Sequence, residues 1–389
     1  MLLVKIFCKK ILSLALSVTF SIYALTINST AYGEVNVSAA SAILIEAETG
    51  RVVFEKDAYE RRPMASTTKI MSTLIALEQG NLDEYFTVDS EAIKVEGSSM
   101  GLREGDSVSL RTLCYGMMLP SGNDAANAAA VRISGSVEKF VELMNKKADE
   151  LGLEDTNFVT PSGLDDYTDD HYSTAYDMAK LTAYAMENDE FREICSLSDA
   201  KISFGNPPAD RWLSNNNKLL DMCEGTIGVK TGFTDKARRC LVSACERDGV
   251  TLIAVTLNAP DDWNDHTKMY EYGFSQIKNY ALPCEFGGLN VNVVGGTQDT
   301  VMVEMPRTPT APLFSDELSK VKTQVILYSF YYAPVVNGDT LGRVDFYVDD
   351  RLIESVPLVA TKEINYQKSD EKSTVSKILD KLKNLVVRQ

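Results

Sequence analysis

Three short strings of residues contain the groups that a serine nucleophile requires. In chain order they are Ser66-Thr67-Thr68-Lys69, Ser121-Gly122-Asn123 and Lys230-Thr231-Gly232. A serine hydroxyl becomes a strong nucleophile when a neighbouring base takes its proton, and a lysine amine of lowered pKa can be that base. The S-x-x-K pattern also occurs at five other serines, so it is weak alone, whereas K-T-G occurs once. The order of the three strings predicts an acyl-transfer enzyme.

The first string is predicted to open a helix. Ser66 follows Pro63 and precedes apolar residues at helical spacing, namely Ile70, Leu74 and Leu77. Residues three apart share a helix face, so the Lys69 amine should lie beside the Ser66 hydroxyl, while the Ser66 N–H could help to form an oxyanion hole. Lys69 can act as the base only if its pKa falls by about 3 units. Burial and a second cation at Lys230 favour that fall, and the alternative is a solvated lysine on a polar turn.

The second string lies where one helix must end and another must begin. Pro120 ends the apolar segment 113–119, and Asp124 opens a run that is rich in alanine. Ser121 could relay a proton to a leaving amine, and the Asn123 amide could both donate to and accept from a substrate peptide group. The alternative is a capped helix turn without chemistry.

The third string ends an extended run. Gly232 leaves room for another backbone to approach, which suits a substrate that binds as an additional strand. Lys230 and the hydroxyls of Thr231 and Thr234 would then bind a free carboxylate, such as the C-terminus of a peptide. Alternatively, a lysine on an edge strand serves only to prevent aggregation.

The N-terminus predicts export. Lysines precede an apolar run over 11–27, and Ala31 and Gly33 follow it, so residues 1–33 are predicted to be a signal peptide. The alternative is an uncleaved anchor, because the apolar run is nearly long enough to cross a bilayer.

Charge and composition exclude several classes of function. The formal net charge of −16 argues against nucleic-acid binding. The chain has 2 His, so a three-histidine zinc site is impossible and a Ser-His-Asp triad would need His171 or His266. Its 7 Cys have no metal-ligand spacing. We expect mostly buried thiols, with room for one disulfide of undetermined pairing, and no metal or cofactor.

The order of periodic segments predicts an α+β fold. A hairpin over 42–55 precedes a mostly helical middle that runs to about residue 200, and strands return at 225–232, 240–245 and 251–257. Both ends of this part would therefore contribute to one sheet, with the helices between them. Past Pro283, a separate all-β module is predicted from short strands at 289–294, 300–303, 325–332 and 344–348.

The chain resembles the low-molecular-weight penicillin-binding proteins that are D-alanyl-D-alanine carboxypeptidases. The resemblance rests on the three strings and on Pro161-Ser162-Gly163-Leu164-Asp165 and His171-Tyr172-Ser173-Thr174-Ala175. It implies a β-lactamase/transpeptidase-like catalytic domain over 34–282, with an antiparallel sheet and helices, and a small β-sandwich-like domain over 283–362.

The same resemblance assigns roles to residues. Ser66 would form the acyl-enzyme, Lys69 would accept its proton, and Ser121 would assist. The substrate-binding residues would be Asn123, Lys230, Thr231, Gly232, Phe233 and Thr234, with the Phe233 N–H as second oxyanion donor. Some members carry histidine where Phe233 stands and a small residue where Arg238 stands, so neither side chain takes a role from the family.

The implied reaction removes the terminal D-alanine from peptidoglycan pentapeptides, and β-lactams would acylate the same serine. Two alternatives stay open. One is a β-lactamase, although no E-x-x-L-N string lies between Asn123 and Lys230. The other is a non-catalytic penicillin sensor, which would need a signalling partner or membrane segments beyond the N-terminus. The partners would be peptidoglycan stem peptides and β-lactams, outside the cytoplasm.

Several other residues are predicted to be structural. Thr174 with Asp177 predicts a capping box, which makes His171 part of a helix start. Trp212 and Trp263 are predicted to be packing residues, and 165–166 a solvated loop. Residues 368–389 have apolar side chains on one helical face and lysines on others, which predicts an amphipathic helix at the outer face of the cytoplasmic membrane. A solvated tail is the alternative.

Overall fold

The computed structural model describes residues 35–284, 288–367 and residue 378. The first part of the chain is built on a sheet of five antiparallel strands in the order β2-β1-β9-β8-β7. These strands are β1 Ser41–Glu46, β2 Val52–Lys56, β7 Thr226–Thr234, β8 Arg238–Arg247 and β9 Val250–Leu257. Both ends of this part therefore contribute strands to the sheet, as the α+β prediction required, and β7 lies at its edge.

Both faces of this sheet are buried. Ile43 and Val255 belong to the core that the sheet shares with the helices after β2. The alternate residues Leu44 and Leu252 pack against a helix over Asp262–Gln276, where a Cβ on Gly273 would lie 2.6 Å from a Cδ atom of each. Burial on both faces explains why β1 and β9 are continuous apolar runs instead of alternating ones.

The helices lie mainly between β2 and β7. Those described are α1 Lys69–Leu77, α2 Leu110–Met118, α3 Asn123–Ser134, α4 Val137–Glu150, α5 Ala175–Met186, α6 Asp189–Ser196, α7 Leu219–Met222 and α8 Asp262–Gln276. Every residue of α1 is buried, so this helix is the centre of the core. A 3-10 turn over Ala65–Thr68 leads into it.

The predicted helix start at Thr174 is present with one half of the capping box. Thr174 Oγ1 accepts from the Asp177 N–H at 2.9 Å. The Asp177 carboxylate accepts from the Asp155 N–H and the Thr156 hydroxyl, so it ties a neighbouring loop to the helix. These hydrogen bonds join the loop that contains Asp155 to the first turn of α5.

Two short hairpins within the helical part were not predicted. They are β3 Phe86–Thr87 with β4 Ser107–Val108, and β5 Asp199–Phe204 with β6 Ala209–Ser214. The packing prediction for Trp212 is wrong, because its side chain is 66% exposed. Side chains alternate along β6, and Leu213 takes the buried face while Trp212 takes the open one.

The second part of the chain is rich in β structure. Its six-stranded sheet has the order β14-β16-β17-β12-β11-β15. The strands are β11 Asn290–Val294, β12 Thr300–Glu304, β14 Val321–Leu327, β15 Tyr331–Tyr332, β16 Thr340–Val348 and β17 Arg351–Ala360. The alternation of buried and exposed residues in β11 and β12 shows that this sheet covers a core on one face.

Two strands of this part differ from the prediction. The run over 325–332 is broken, since β14 ends at Leu327 and β15 begins at Tyr331. The strand β17, Arg351–Ala360, was not among the predicted strands, and it contains Pro357. Pro357 is tolerated because β12 pairs with Val359 and Ala360 of β17 and does not extend to Pro357. No strand that the structure describes on that side of β17 therefore needs the N–H that proline lacks.

The two parts of the chain share a strand pair and an ion-pair cluster. Strand β10, Ile277–Ala281, pairs with β13, Thr310–Phe314, across the predicted domain boundary after residue 282. Glu317 accepts from Arg51 at 2.6 Å and from Arg351 at 3.0 Å.

Some predictions fall outside the described residues. The proposed signal peptide, 1–33, lies there, as does the proposed C-terminal helix, 368–389, apart from residue 378. No helix among the described residues is long and apolar enough to span a membrane. Of the described cysteines, Cys114, Cys195, Cys223, Cys240 and Cys245 are buried thiols, as predicted, and Cys284 is partly exposed.

Candidate active site

The backbone around Ser66 is held in an unusual conformation. Ala65 has φ +50°, in the left-handed region that non-glycine residues seldom occupy. Two glycines from other segments pack against this turn: a Cβ on Gly163 would lie 2.0 Å from the Ala65 carbonyl oxygen, and one on Gly232 would lie 3.2 Å from the Ser66 nitrogen. The missing side chains therefore allow a loop and a strand to approach the turn from two sides.

Lys69 is fully buried and makes three short contacts. Its Nζ lies 2.9 Å from Ser66 Oγ, 2.7 Å from Asn123 Oδ1 and 2.7 Å from the Ser162 carbonyl oxygen. The last two atoms can only accept hydrogen bonds. A neutral amine has two N–H groups and one lone pair, so two donated bonds leave the lone pair facing the Ser66 hydroxyl. This geometry suits proton transfer from Ser66 to Lys69.

The electrostatics favour the neutral amine. Burial lowers the pKa of Lys69 well below its ordinary value, and the nearby cation Lys230 lowers it further. Asp124 acts in the opposite direction, as the smallest of these three effects. The sequence-based prediction of a buried lysine influenced by Lys230 therefore agrees with this environment.

Asn123 and Ser121 lie at the connection between α2 and α3. Asn123 is the first residue of α3, and its Nδ2 donates to the Glu96 carbonyl at 2.7 Å, which orients its Oδ1 toward Lys69. Ser121 is buried, has φ +65° and lines the same cleft as Ser66. The tight connection predicted between two helices is present.

Asp124 organises the loop that faces this connection. Its carboxylate accepts from the Ser99 hydroxyl at 2.6 Å and from the N–H groups of Met100, Gly101 and Leu102 at 2.9, 3.1 and 3.0 Å. The same loop offers the Ser98 carbonyl to the Asn123 N–H at 2.7 Å. The carboxylate also lies in the first turn of α3, where the helix dipole stabilises a negative charge.

The third string lies on the edge strand, as predicted. Lys230 is 1% exposed, and its Nζ donates to the Thr231 carbonyl at 2.9 Å. Burial lowers the pKa of Lys230 to about 7. Lys230 therefore exchanges a proton near neutral pH, and it is a less constant positive charge than its residue type suggests.

The hydroxyl of Thr234 is already engaged within the protein. It donates to Asp165 Oδ2 at 3.1 Å and accepts from the Ala237 N–H at 2.9 Å. Its single hydrogen is thus committed to Asp165, so the geometry favours Thr231 over Thr234 as a donor to a carboxylate. The solvated-loop prediction is wrong for Asp165, which is 1% exposed, and right for Asp166, which is exposed. Burial raises the pKa of Asp165.

A cleft of about 360 Å³ brings the three strings together with residues that sequence reasoning did not assign to a site. The predicted residues in its wall are Ser66, Ser121, Thr231, Gly232 and Phe233. The additional ones include Lys218, Arg239, Asp262 and Trp263. Phe233 is 57% exposed, and the Arg238 guanidinium lies 5.7 Å from the centre of its ring.

Arg239 brings a guanidinium to the wall of the cleft, where it is paired with the buried carboxylate of Asp262. Its Nη2 donates to Asp262 Oδ1 at 2.6 Å, and its guanidinium lies 5.4 Å from the Trp263 ring centre. Trp263 was predicted to be a packing residue, yet it borders the cleft as well. A sequence signal for Arg239 existed only in its position on β8 opposite Phe233, which requires the strand register to be known.

His171 lies beneath the nucleophile turn. Its Nδ1 accepts from the Val159 N–H at 2.9 Å, so Nε2 carries the hydrogen and donates to Thr68 Oγ1 at 2.8 Å. Burial lowers the pKa of His171 to about 4. The histidine is therefore neutral and structural, as predicted. No group of three or more His, Cys, Asp or Glu side chains in the described part of the chain is arranged to hold a metal ion.

Comparison with known proteins identifies the family. A model of the family described as D-alanyl-D-alanine carboxypeptidase matches residues 28–261, which is more than half of the chain. The chain belongs to the D-alanyl-D-alanine carboxypeptidase family. A second model, described as penicillin-binding protein 5, C-terminal domain, matches residues 284–366 of this family member.

Curated relatives extend over most of this carboxypeptidase family member. It is 33% identical to D-alanyl-D-alanine carboxypeptidase DacF of Bacillus subtilis over 340 residues, which cover 84% of this chain and 86% of the relative. It is 31% identical to DacA of Escherichia coli over 376 residues, which cover 90% and 88%.

Solved structures show the same fold. The D-alanyl-D-alanine carboxypeptidase DacD of Francisella tularensis superposes with a TM-score of 0.60 at 26% identity, over 85% of this chain and 95% of that one. Penicillin-binding protein 5 of Haemophilus influenzae gives 0.61 at 28% identity, over 85% and 98%. These findings confirm the predicted family, the α+β fold followed by a β-rich domain, and the enzyme class, a serine D-alanyl-D-alanine carboxypeptidase.

Proposed function

We propose that this enzyme removes the terminal D-alanine from peptidoglycan pentapeptides through an acyl-enzyme on Ser66. The observation that carries the proposal is the Lys69 amine, which lies 2.9 Å from Ser66 Oγ and whose other two partners are acceptors. The relatives named above as D-alanyl-D-alanine carboxypeptidases support this substrate class.

The first step is acylation. Lys69 takes the proton of the Ser66 hydroxyl while Oγ attacks the carbonyl carbon of the penultimate D-alanine. The negative charge that develops on the carbonyl oxygen is stabilised by the N–H groups of Ser66 and Phe233, which we assign as the oxyanion hole. The proton passes through Ser121 to the leaving amine, the C–N bond breaks, and D-alanine departs. A water molecule then hydrolyses the ester and restores the Ser66 hydroxyl.

Recognition would combine strand addition with a carboxylate site. The stem peptide adds along β7, where Gly232 leaves room for it. Its backbone accepts from the second N–H of Asn123 Nδ2, whose first N–H donates to the Glu96 carbonyl. The Thr231 hydroxyl, Lys230 and Arg239 bind the terminal carboxylate, since Thr231 and Arg239 line the cleft and Lys230 lies next to Thr231 on the same strand. This assignment predicts a preference for peptides with a free C-terminus.

The location follows from the substrate class. Peptidoglycan lies outside the cytoplasm, and we propose that residues 1–33 direct export, that the catalytic domain spans 34–282 and that the β domain spans 283–362. The amphipathic segment 368–389 would then hold the enzyme at the outer face of the cytoplasmic membrane through apolar burial and attraction to anionic lipid.

One experiment tests the activity and the nucleophile together. Purified enzyme is incubated with an acyl-D-Ala-D-Ala peptide and, separately, with benzylpenicillin, and D-alanine release and the mass of the drug adduct are followed in time. We expect release of D-alanine and a long-lived adduct on Ser66, both lost in Ser66→Ala. Ser319→Ala is the matched control, because Ser319 begins another S-x-x-K string on the β-rich part. Rapid drug turnover without release would indicate a β-lactamase instead, and an adduct without release a sensor.

A further inference from the structure

Two cysteines outside the active site lie on either side of one backbone carbonyl. The Sγ atoms of Cys245 and Cys223 lie 3.3 and 4.0 Å from the Glu224 carbonyl oxygen. Neither thiol has a role in the proposed reaction.

The local fold brings the two sulfurs together. The Thr226 N–H donates to the Cys223 carbonyl at 3.2 Å, which closes a four-residue turn, and Gly225 at its third position has φ +85°. A type II turn requires a positive φ there. The turn places Cys223 beside the residue that pairs with Thr226 in the sheet, and that residue is Cys245. Gly225 also has to be glycine, since a Cβ would lie 2.5 Å from the Glu246 carbonyl oxygen.

An open depression at the surface gives small molecules access to Cys223. Cys223 is 5% exposed, and it lines this depression together with Glu224, Arg247 and Glu271, whereas Cys245 is fully buried behind it. The Arg247 Nη2 lies 3.4 Å from Cys223 Sγ. A cation at that distance stabilises a thiolate.

The two thiols differ in acidity in the way that a reactive pair requires. The hydrogen bond from Cys245 is the largest of the effects that hold the pKa of Cys223 below its ordinary value, and Arg247 acts in the same direction. The pKa of Cys245 is raised, first by its hydrogen bond to Cys223 and then by burial. Cys223 is therefore the nucleophile of the pair and Cys245 the second thiol.

We propose that Cys223 and Cys245 form a site of oxidation at which a small disulfide converts the two thiols into an intrachain disulfide bond. The Cys223 thiolate attacks one sulfur of the small disulfide, which gives a mixed disulfide and releases one thiolate. Cys245 then loses its proton, its sulfur attacks Cys223 Sγ, and the second small thiolate leaves. The protein loses two electrons and two protons, and the small disulfide gains both electrons as it becomes two thiols.

The bond would fasten the beginning of the edge strand β7 to its neighbour β8. Strand β7 carries Lys230 and Gly232 at its other end, so the tie should stabilise the sheet while leaving the active-site groups in place. Cross-linking residues about 20 apart restricts the unfolded chain, which raises thermal stability. We expect the oxidised enzyme to have a Tm higher by roughly 3–8 °C.

The test follows thiols, so its outcome is independent of the proposed carboxypeptidase activity. Native purified enzyme is incubated with oxidised glutathione and quenched in acid, the remaining thiols are alkylated after unfolding, and the peptides are mapped by mass spectrometry. We expect a peptide pair joined through Cys223 and Cys245, a mass loss of two hydrogens in the intact chain, and the higher Tm.

Three variants complete the test. Cys284→Ser is the matched control, because Cys284 is the partly exposed thiol of the described set and should leave the cross-link unchanged. Cys223→Ser and Cys245→Ser should each prevent it, and Cys245→Ser should retain glutathione on Cys223. The proposal is overturned if wild-type enzyme and Cys284→Ser keep both thiols, if glutathione remains on Cys223 without ring closure, or if oxidation leaves Tm unchanged.

Discussion

The Nζ of Lys69 lies 2.7 Å from the Oδ1 of Asn123, an atom that accepts hydrogen bonds and carries no formal charge. Replacement of this amide by a carboxylate keeps the shape and adds an anion beside the amine. In Asn123→Asp the pKa of Lys69 should therefore rise, and acylation at pH 7 should slow on the order of 100-fold. The acid limb of the acylation rate should move to higher pH, as measured with a chromogenic β-lactam.

Asn127→Asp provides the control for that change. Asn127 lies one turn further along α3, where its amide donates to the Ala92 carbonyl at 3.1 Å. The added charge there should shift the acid limb far less. An unshifted acid limb in Asn123→Asp would show that Lys69 is not the base.

Lys230→Met should make the enzyme more stable and less active. The pKa of Lys230 is about 7 in the folded chain because of burial, and 10.5 ordinarily. Between these two pKa values, the lysine binds more protons in the unfolded chain than in the folded one, so the free energy of unfolding rises with pH. The stability that is lost through burial of Lys230 is therefore largest at and below pH 7. Removal of the cation should stabilise the fold at pH 7 by roughly 1–4 kcal/mol.

Urea unfolding of both proteins at several pH values measures the effect of Lys230. The difference in the free energy of unfolding between Lys230→Met and wild type should shrink as pH rises from 7 to 10. The same change at exposed Lys268 should give no such trend. A constant difference across this range would contradict the buried, partly neutral state of Lys230.

Gly232→Ala should disturb the contact between β7 and the nucleophile turn. The new Cβ would lie 3.0 Å from the Met64 carbonyl oxygen and 3.2 Å from the Ser66 nitrogen, so the strand or the turn must shift by a few tenths of an ångström. Because a small displacement misaligns the oxyanion donors, acylation should slow by about 10- to 100-fold. Gly80→Ala is the control, since no neighbour lies within 4 Å of its Cβ. Equal acylation rates in the two variants would remove the positional role of Gly232.

Loss of Arg239 should weaken recognition of a free carboxylate. A hydrogen bond between charged groups contributes about 1.5–3 kcal/mol, so KM should rise roughly 10- to 100-fold while kcat changes little. Arg239→Leu leaves Asp262 buried without its partner, and the double variant Arg239→Leu/Asp262→Asn separates that effect. Arg238→Leu, at an exposed neighbouring arginine, is the control. Steady-state kinetics are measured with peptides that end in a carboxylate or in an amide. The assignment is refuted if Arg239→Leu and Arg238→Leu discriminate equally well between these two kinds of peptide.

His171 should make the enzyme sensitive to mild acid. Its pKa is 6.5 ordinarily and about 4 when folded, so protonation favours the unfolded chain as pH falls below 6.5. Between pH 7 and 5 this group should cost about 2 kcal/mol of stability. His171→Gln should lose stability less steeply over that interval, as measured by urea unfolding. It keeps the similar contribution of buried His266, whose folded pKa is about 3. Parallel losses in variant and wild type would contradict the prediction.

Sequence reasoning succeeded where the relevant geometry is local. Ser66 and Lys69 are three residues apart at a helix start, so their contact follows from helix periodicity alone. The edge position of Lys230 agrees with the edge strand that was considered for the extended run ending at the third string.

Contacts between distant segments could not be derived in this way. The Ser162 carbonyl that accepts from Lys69 is 93 residues away, and a backbone oxygen leaves no mark on residue type. The bond between Thr234 and Asp165 depends on the approach of a loop to β7, and the ion pair between Arg239 and Asp262 depends on the approach of α8 to β8. Each of these required the register and packing of the sheet, which composition and periodicity do not encode.

The carboxylate of Asp124 has a consequence for how ligands associate. By accepting hydrogen bonds from four donors in residues 99–102, it fixes the loop that follows Ser98, a residue of the cleft wall, before any ligand arrives. A ligand can then bind without a loop having to become ordered around it, so binding costs little conformational entropy. Peptides and drugs should therefore differ mainly in their rates of acylation and dissociation, and much less in their rates of association.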